Sequence, residues 1–152
     1  MRKETIRAIV DIIVAENKNI IVLEEEYWDE TIDTKWHVAR YENRHNELVY
    51  KIIDNKIFID SKPLKIHDYI IDINGILRIA DGHPLGSEFP YCVNGAGRLI
   101  VDKLGIIKYI DNWSGHYKPT EQEFNNSLKF LNNLTIERKY IWDHSLFPIF
   151  PV

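Results

Sequence analysis

Between Lys35 and Asp111 the chain is cut into short β-rich segments by closely spaced turn residues. WHVARYE, ELVYKII, KIFID, DYIID, ILRIAD, RLIVD and IIKYID are separated at Asn43 to Asn46, Asp54-Asn55, Ser61-Lys62-Pro63, Asn74-Gly75 and Leu104-Gly105. Parallel neighbours need a crossover of a dozen or more residues, and most of these gaps are far too short for one. The pattern therefore predicts a mainly antiparallel sheet. Asn74-Gly75 is its strongest hairpin signal, because both residues tolerate the positive φ of a type I′ turn.

Helical signals lie only at the two ends. Ile6, Ile9, Val10 and Ile13 are spaced i, i+3, i+4, i+7, which places them on one face of an N-terminal helix that Asn17-Lys18-Asn19 would end. Ile20 to Leu23 reads either as a short strand or as a continuation of that helix. Near the C-terminus Thr120 and Glu123 form a T-x-x-E capping box ahead of Phe124, Leu128 and Leu131, predicting a helix from about Glu121 to Leu134. A further strand is expected within Ile136 to Trp142, with the apolar tail from Leu146 to Val152 in a groove. The expected class is α+β, a mainly antiparallel sheet packed with an N-terminal and a C-terminal helix. No internal repeat or low-complexity linker is evident, and residues 1–152 are read as a single domain.

Composition narrows the function. With 152 residues, 45% of them hydrophobic, the chain can bury roughly two-thirds of its unfolded surface. A net charge of −4 argues against a nucleic-acid partner, which would need a basic face. No segment approaches the ~20 apolar residues of a membrane helix, and no secretory leader is evident. Cys92 is the sole cysteine, so neither an internal disulfide nor a cysteine-based zinc site is available. These features point to a cytoplasmic protein with no membrane partner, and no sequence pattern calls for a metal or another cofactor.

Candidate chemistry gathers between Gly82 and Thr120. Ser114-Gly115-His116-Tyr117 stands just before the capped helix, where orphan N–H groups and the positive dipole end favour an anion. His116 suits an acid or base near neutrality, and Tyr117 a hydrogen-bond donor. His83 sits in a glycine-bracketed loop and completes a candidate catalytic set of His83, His116 and Tyr117. Ser114, Gly115, Arg98 and Asp111 are the candidate ligand-binding residues, with Glu88 or Asp111 as an acidic partner. The competing interpretation makes Tyr117 a packed residue whose hydroxyl meets a backbone carbonyl, and His116 a satisfied turn residue. Cys92, in an apolar Tyr-Cys-Val setting, is expected to be buried and inert.

The stretch Ile76 to Phe124 resembles a module of plant IQ-motif-containing calmodulin-binding proteins. Similar stretches occur near the C-termini of some bacterial toxin-like and effector-like proteins. The resemblance runs through Ile76 to Ala80, the loop at His83, Val93 with Ala96-Gly97-Arg98, the turn at Leu104-Gly105, and Ser114 to Pro119. Pro84-Leu85 stand where the module has two serines, and no IQ-motif helix is visible, so calmodulin binding does not carry over. The resemblance implies that the His83 loop and the SGHY turn belong to one module. The expected function is a small-ligand-handling domain, an effector- or toxin-type enzyme acting on a phosphate-bearing or nucleotide-like molecule. The alternative is a non-catalytic protein-interaction module in which SGHY is structural and the partner is a protein.

Overall fold

The computed structural model describes residues 2–28, 47–80 and 89–146. In chain order these form helix α1 (Lys3–Glu16), β1 (Ile21–Val22), β2 (Tyr50–Ile53), β3 (Lys56–Ile59), β4 (Ile66–Ile71), β5 (Leu77–Ala80), β6 (Cys92–Val93), β7 (Gly95–Val101), β8 (Ile107–Asp111), helix α2 (Glu121–Ser127) and β9 (Lys139–Tyr140). The class is α+β, with the strands mainly antiparallel. Ile20 to Leu23 resolves as a strand: Ile21 and Val22 pair with Val93 and Cys92. A 3-10 turn follows at Glu25–Trp28. The segment WHVARYE and the residues after Leu146 lie outside the described residues.

The main sheet has the order β5-β4-β7-β8-β9, and only β8 and β9 run parallel. Side chains alternate across it, so each face carries its own core. Ile70 and Ala96 face a cluster with Ile6, Val10, Trp28, Tyr91, Cys92 and Tyr117. On the opposite face Tyr69, Ile71, Leu99 and Ile110 pack with Phe124 and Leu131. Ile6 and Val10 are the buried part of the α1 stripe. Phe124 is the anchor of α2, and burying such a ring contributes about 1.5–3 kcal/mol.

The turns depart from expectation in two ways. The hairpin at Asn74-Gly75 exists, but only Gly75 has positive φ, at 80°. The Asp72 carbonyl accepts from the Gly75 N–H at 2.9 Å, and Asp72 Oδ1 accepts from the Asn74 and Ile76 N–H groups at 2.9 and 3.0 Å. This side-chain clamp selects a wider turn than type I′. The two-residue turn with both φ values positive lies instead at Asp54 (52°) and Asn55 (65°), between β2 and β3. The clamp is then repeated between β7 and β8, where Asp102 Oδ1 accepts from Leu104 and Ile106 and Gly105 has φ 88°. D-I-N-G-I and D-K-L-G-I are thus one device used twice, a repeat at the scale of a single turn where none was expected.

Helix α2 is shorter than predicted. It begins after Thr120 as the capping box requires, Thr120 Oγ1 accepting from the Glu123 N–H at 3.1 Å and Glu123 Oε1 from the Thr120 N–H at 2.9 Å. It tightens to a 3-10 turn at Leu128–Leu131 and stops at Asn132, whose φ is 49°. Ser127 marks the transition by donating its hydroxyl back to the Phe124 carbonyl at 2.6 Å, a bond that competes with the regular helical ladder.

Candidate functional site

The site region is organised by the last residue of β8 and the one after it, Asp111 and Asn112, both with no exposed surface. Arg98 lies beside Asp111 on β7, and its backbone N–H donates to Asp111 Oδ1 at 2.9 Å. Its Nε and Nη2 donate to Oδ2 at 3.1 and 2.7 Å. The Tyr109 hydroxyl (2.6 Å) and the Trp142 indole N–H (3.2 Å) reach the same oxygen, and the Trp113 N–H reaches Oδ1 at 2.9 Å. A buried carboxylate is costly unless paired and hydrogen-bonded, and Asp111 has both its oxygens so engaged. Burial, reinforced by the Asp111 charge, pushes the Tyr109 hydroxyl up to about 12.

Asn112 couples this centre to two distant segments. Its Nδ2 donates to the Pro119 carbonyl at 2.8 Å and to the Trp142 carbonyl at 3.0 Å, while Oδ1 accepts from the Trp142 N–H at 2.7 Å. A primary amide presents the same donor and acceptor as a peptide unit. The Asn112 side chain therefore continues the β8–β9 pairing one step beyond Asp111↔Tyr140. Asn112 and Tyr109 were not singled out from sequence. The available signal was the Asp-Asn pair ending an otherwise apolar strand.

Ser114 to Pro119 forms the corner between β8 and α2. The Lys118 N–H donates to the Ser114 carbonyl at 2.9 Å, the Tyr117 N–H to Ser114 Oγ at 3.2 Å, and Lys118 takes a left-handed φ of 45°. Tyr117 is buried in the α1-side core and donates its hydroxyl to the Pro90 carbonyl at 2.6 Å. That bond pins the corner to the strand entry at Tyr91. Lys118 Nζ pairs with Glu24 Oε1 at 2.8 Å, tying the corner to the segment after β1. His116 is half-buried in the turn. Gly115 is exposed, and a β-carbon there would meet nothing within 4 Å.

Arg98 and Asp111 are thus brought together, and Ser114, His116 and Tyr117 share one turn. Ser114 Oγ and the Tyr117 hydroxyl bond to the chain itself. His83 and Glu88 lie outside the described residues. The start of α2 is occupied by its own capping box, with Glu121 and Glu123 supplying negative charge where an anion was expected. Cys92 has no exposed surface, and burial pushes its thiol up to about 12, so it is neutral at physiological pH.

An aromatic surface lies over the Arg98–Asp111 pair. The Arg98 guanidinium sits 5.5 Å from the Trp113 ring and 5.9 Å from the Trp142 ring. Trp142 stands 4.8 Å from both Trp113 and Tyr140, and the His144 ring stacks on Trp113 at 5.7 Å. Beside it a cleft of about 420 Å³ opens between the start of α2 and residues 141–145. Among the described residues, no group of three or more His, Cys, Asp or Glu side chains could hold a metal ion, and no helix is long and apolar enough to cross a membrane. No family model, curated protein or solved structure matches the chain.

Proposed function

We propose that this chain is a non-catalytic protein-interaction module in which the SGHY turn is a structural corner. The observation that carries the reading is the buried Tyr117 hydroxyl bonded to the Pro90 carbonyl at 2.6 Å. A phenol committed to a main-chain carbonyl inside the core is a poor proton donor for a bound ligand. The surroundings agree with this. Ser114 Oγ is engaged by the Tyr117 N–H, Arg98 is neutralised by Asp111, and the helix start carries two carboxylates of its own. Each would disfavour a phosphate-bearing ligand.

One surface available for recognition is the aromatic end of the sheet, where Tyr140 is 48% and Ile141 37% exposed beside Trp142. Aromatic residues supply much of the energy of protein interfaces, since they bury a large area with little loss of rotamer freedom. The test is a thermal melt of the wild-type chain with ATP, ADP and inorganic phosphate at millimolar concentration. The expected midpoint is unchanged by all three. A midpoint that rises with any of them overturns the interaction reading in favour of ligand handling.

A further inference from the structure

At the end of the main sheet opposite Asp111, the outer face of the β2–β3 hairpin is apolar where an outward face is ordinarily polar. Ile57 points into the core, so its neighbours in the alternation, Lys56 and Phe58 with Lys51 and Ile53 opposite them, point away from it. Val49 extends the same row, bonded through its carbonyl to the Asp60 N–H at 2.9 Å. Val49 is 67% and Ile53 53% exposed. A β-carbon on Gly105 would lie 2.7 Å from Lys56 Cβ and 3.0 Å from Phe58 Cζ, so the β7–β8 turn rests against this face. The turn before β4 adjoins it, the Leu64 N–H donating to the Val101 carbonyl at 2.9 Å. Both turns present a leucine near a lysine, Lys62-Pro63-Leu64 and Lys103-Leu104, with Leu64 63% and Leu104 60% exposed. A cleft of about 220 Å³ between them is walled by Phe58, Ser61, Lys62 and Lys103. Leu64 has a left-handed φ of 63°, which glycine would adopt with less strain, and its side chain stands in water. Neither stability nor solubility accounts for a leucine there.

We propose that this face docks a short segment of a partner protein in which carboxylates alternate with apolar side chains. Lys51, Lys56, Lys62 and Lys103 are exposed and have no carboxylate partner among the described residues. Asp60 offsets one of these charges, and Asp102 has its Oδ1 committed to the N–H groups of its own turn. The unpaired lysines stand among Val49, Ile53, Phe58, Leu64 and Leu104, so an occupant must bring negative charge and apolar surface together. The cleft between Lys62 and Lys103 suits one carboxylate side chain. An anionic membrane would meet the field of the whole molecule, whose net charge of −4 opposes approach, whereas a short segment meets only the local lysines. A second copy of the chain would set this patch against itself, lysine facing lysine. This inference rests on the interaction-module reading.

Amide chemical-shift mapping on the full chain tests it with two probes: a short blocked peptide of alternating leucine and glutamate, and the same peptide with glutamine for glutamate. The glutamate peptide at millimolar concentration should shift amides of residues 49–53, 56–60, 61–65 and 102–105, and the glutamine peptide should bind more weakly. Lys62→Gln and Lys103→Gln should each weaken the glutamate peptide about 2- to 5-fold, the scale of an exposed ion pair. Leu64→Gly should weaken it about 5-fold without lowering the urea midpoint, since glycine relieves the left-handed φ. A lowered midpoint with unchanged binding would make Leu64 structural and overturn its place in the surface. Absence of shifts, shifts confined to other residues, or equal binding of the glutamine peptide overturns the proposal. So does sedimentation of the chain with phosphatidylcholine vesicles carrying about one quarter phosphatidylserine, which assigns the face to a membrane. A dimer that Leu64→Gly dissolves assigns it to a second copy and likewise overturns the proposal. If the glutamate peptide fails while nucleotides leave the melt unchanged, the assignment of this face falls and the interaction reading stands. A nucleotide that raises the melt removes the reading on which both depend.

Discussion

Tyr69 and Asp111, 42 residues apart in sequence, are joined directly over Gly97: the Tyr69 hydroxyl donates to the Asp111 carbonyl at 2.9 Å. Gly97 is the residue paired with Tyr69 across β4 and β7, and a β-carbon on it would lie 1.9 Å from that carbonyl oxygen. The three residues of Ala96-Gly97-Arg98 thus have separate duties. Ala96 packs in the α1-side core, Gly97 leaves room for the Tyr69–Asp111 bond, and Arg98 neutralises the Asp111 carboxylate.

Gly97→Ala should therefore destabilise the fold by about 3 kcal/mol or more, the upper end of an overpacking penalty. Gly115→Ala should change stability by less than about 0.5 kcal/mol, since its position is open and its φ is not in the left-handed region. Urea denaturation of the two variants side by side checks both. Comparable losses would mean that the Gly97 contact relaxes or that Gly115 is constrained by something outside the corner.

Asp111→Asn removes the charge opposite Arg98 while keeping the side-chain shape. The expected cost is about 3–5 kcal/mol, because a partly buried guanidinium is left without its counter-charge. The denaturation midpoint measures it, and a loss under about 1 kcal/mol would show that solvent already neutralises Arg98.

Thr120→Ala should cost about 0.5–2 kcal/mol by removing the oxygen that accepts the Glu123 N–H. The loss should appear in the denaturation midpoint. Glu123→Gln, which keeps an acceptor for the Thr120 N–H, should cost less.

How much of this was legible follows the range of each interaction. The capping box spans three residues, and the strands of β4, β5, β7 and β8 are bounded by turn residues inside the same short windows. All of these were readable from the sequence. The turn type at Asn74-Gly75 was misread because the deciding group, Asp72 Oδ1, lies just outside the pair that was weighed. Tyr117 to Pro90 spans 27 residues and Asn112 to Trp142 spans 30, and no local pattern encodes either bond. Strand β9 falls within the Ile136 to Trp142 segment where a strand was expected, but its parallel pairing was hidden, since that depends on where β8 ends. His83 lies outside the described residues, so its place in the candidate site rests on sequence alone.

Stability should fall in alkali. The Cys92 thiol is moved from 9.0 to about 12 by burial, and the Tyr109 hydroxyl from 10.0 to about 12 by burial and by Asp111. Each group stays protonated in the fold at pH values where the unfolded chain has lost the proton. Their contribution is complete below the unfolded values near 9 and 10 and is lost as the pH rises towards 12. Urea midpoints should hold between pH 7 and 8.5 and decline above pH 9. Cys92→Ala should lessen the decline, and a midpoint flat to pH 11 would show that neither group is shifted.

The most direct test of the structural corner is the stability of Tyr117→Phe, measured by urea denaturation with and without ADP. Losing the buried hydroxyl that meets the Pro90 carbonyl should cost about 1–3 kcal/mol, because that carbonyl is left without its donor. ADP should shift neither the wild type nor the variant. Unchanged stability in Tyr117→Phe, together with an ADP-dependent gain seen only in the wild type, would contradict the account and make Tyr117 a ligand-binding residue.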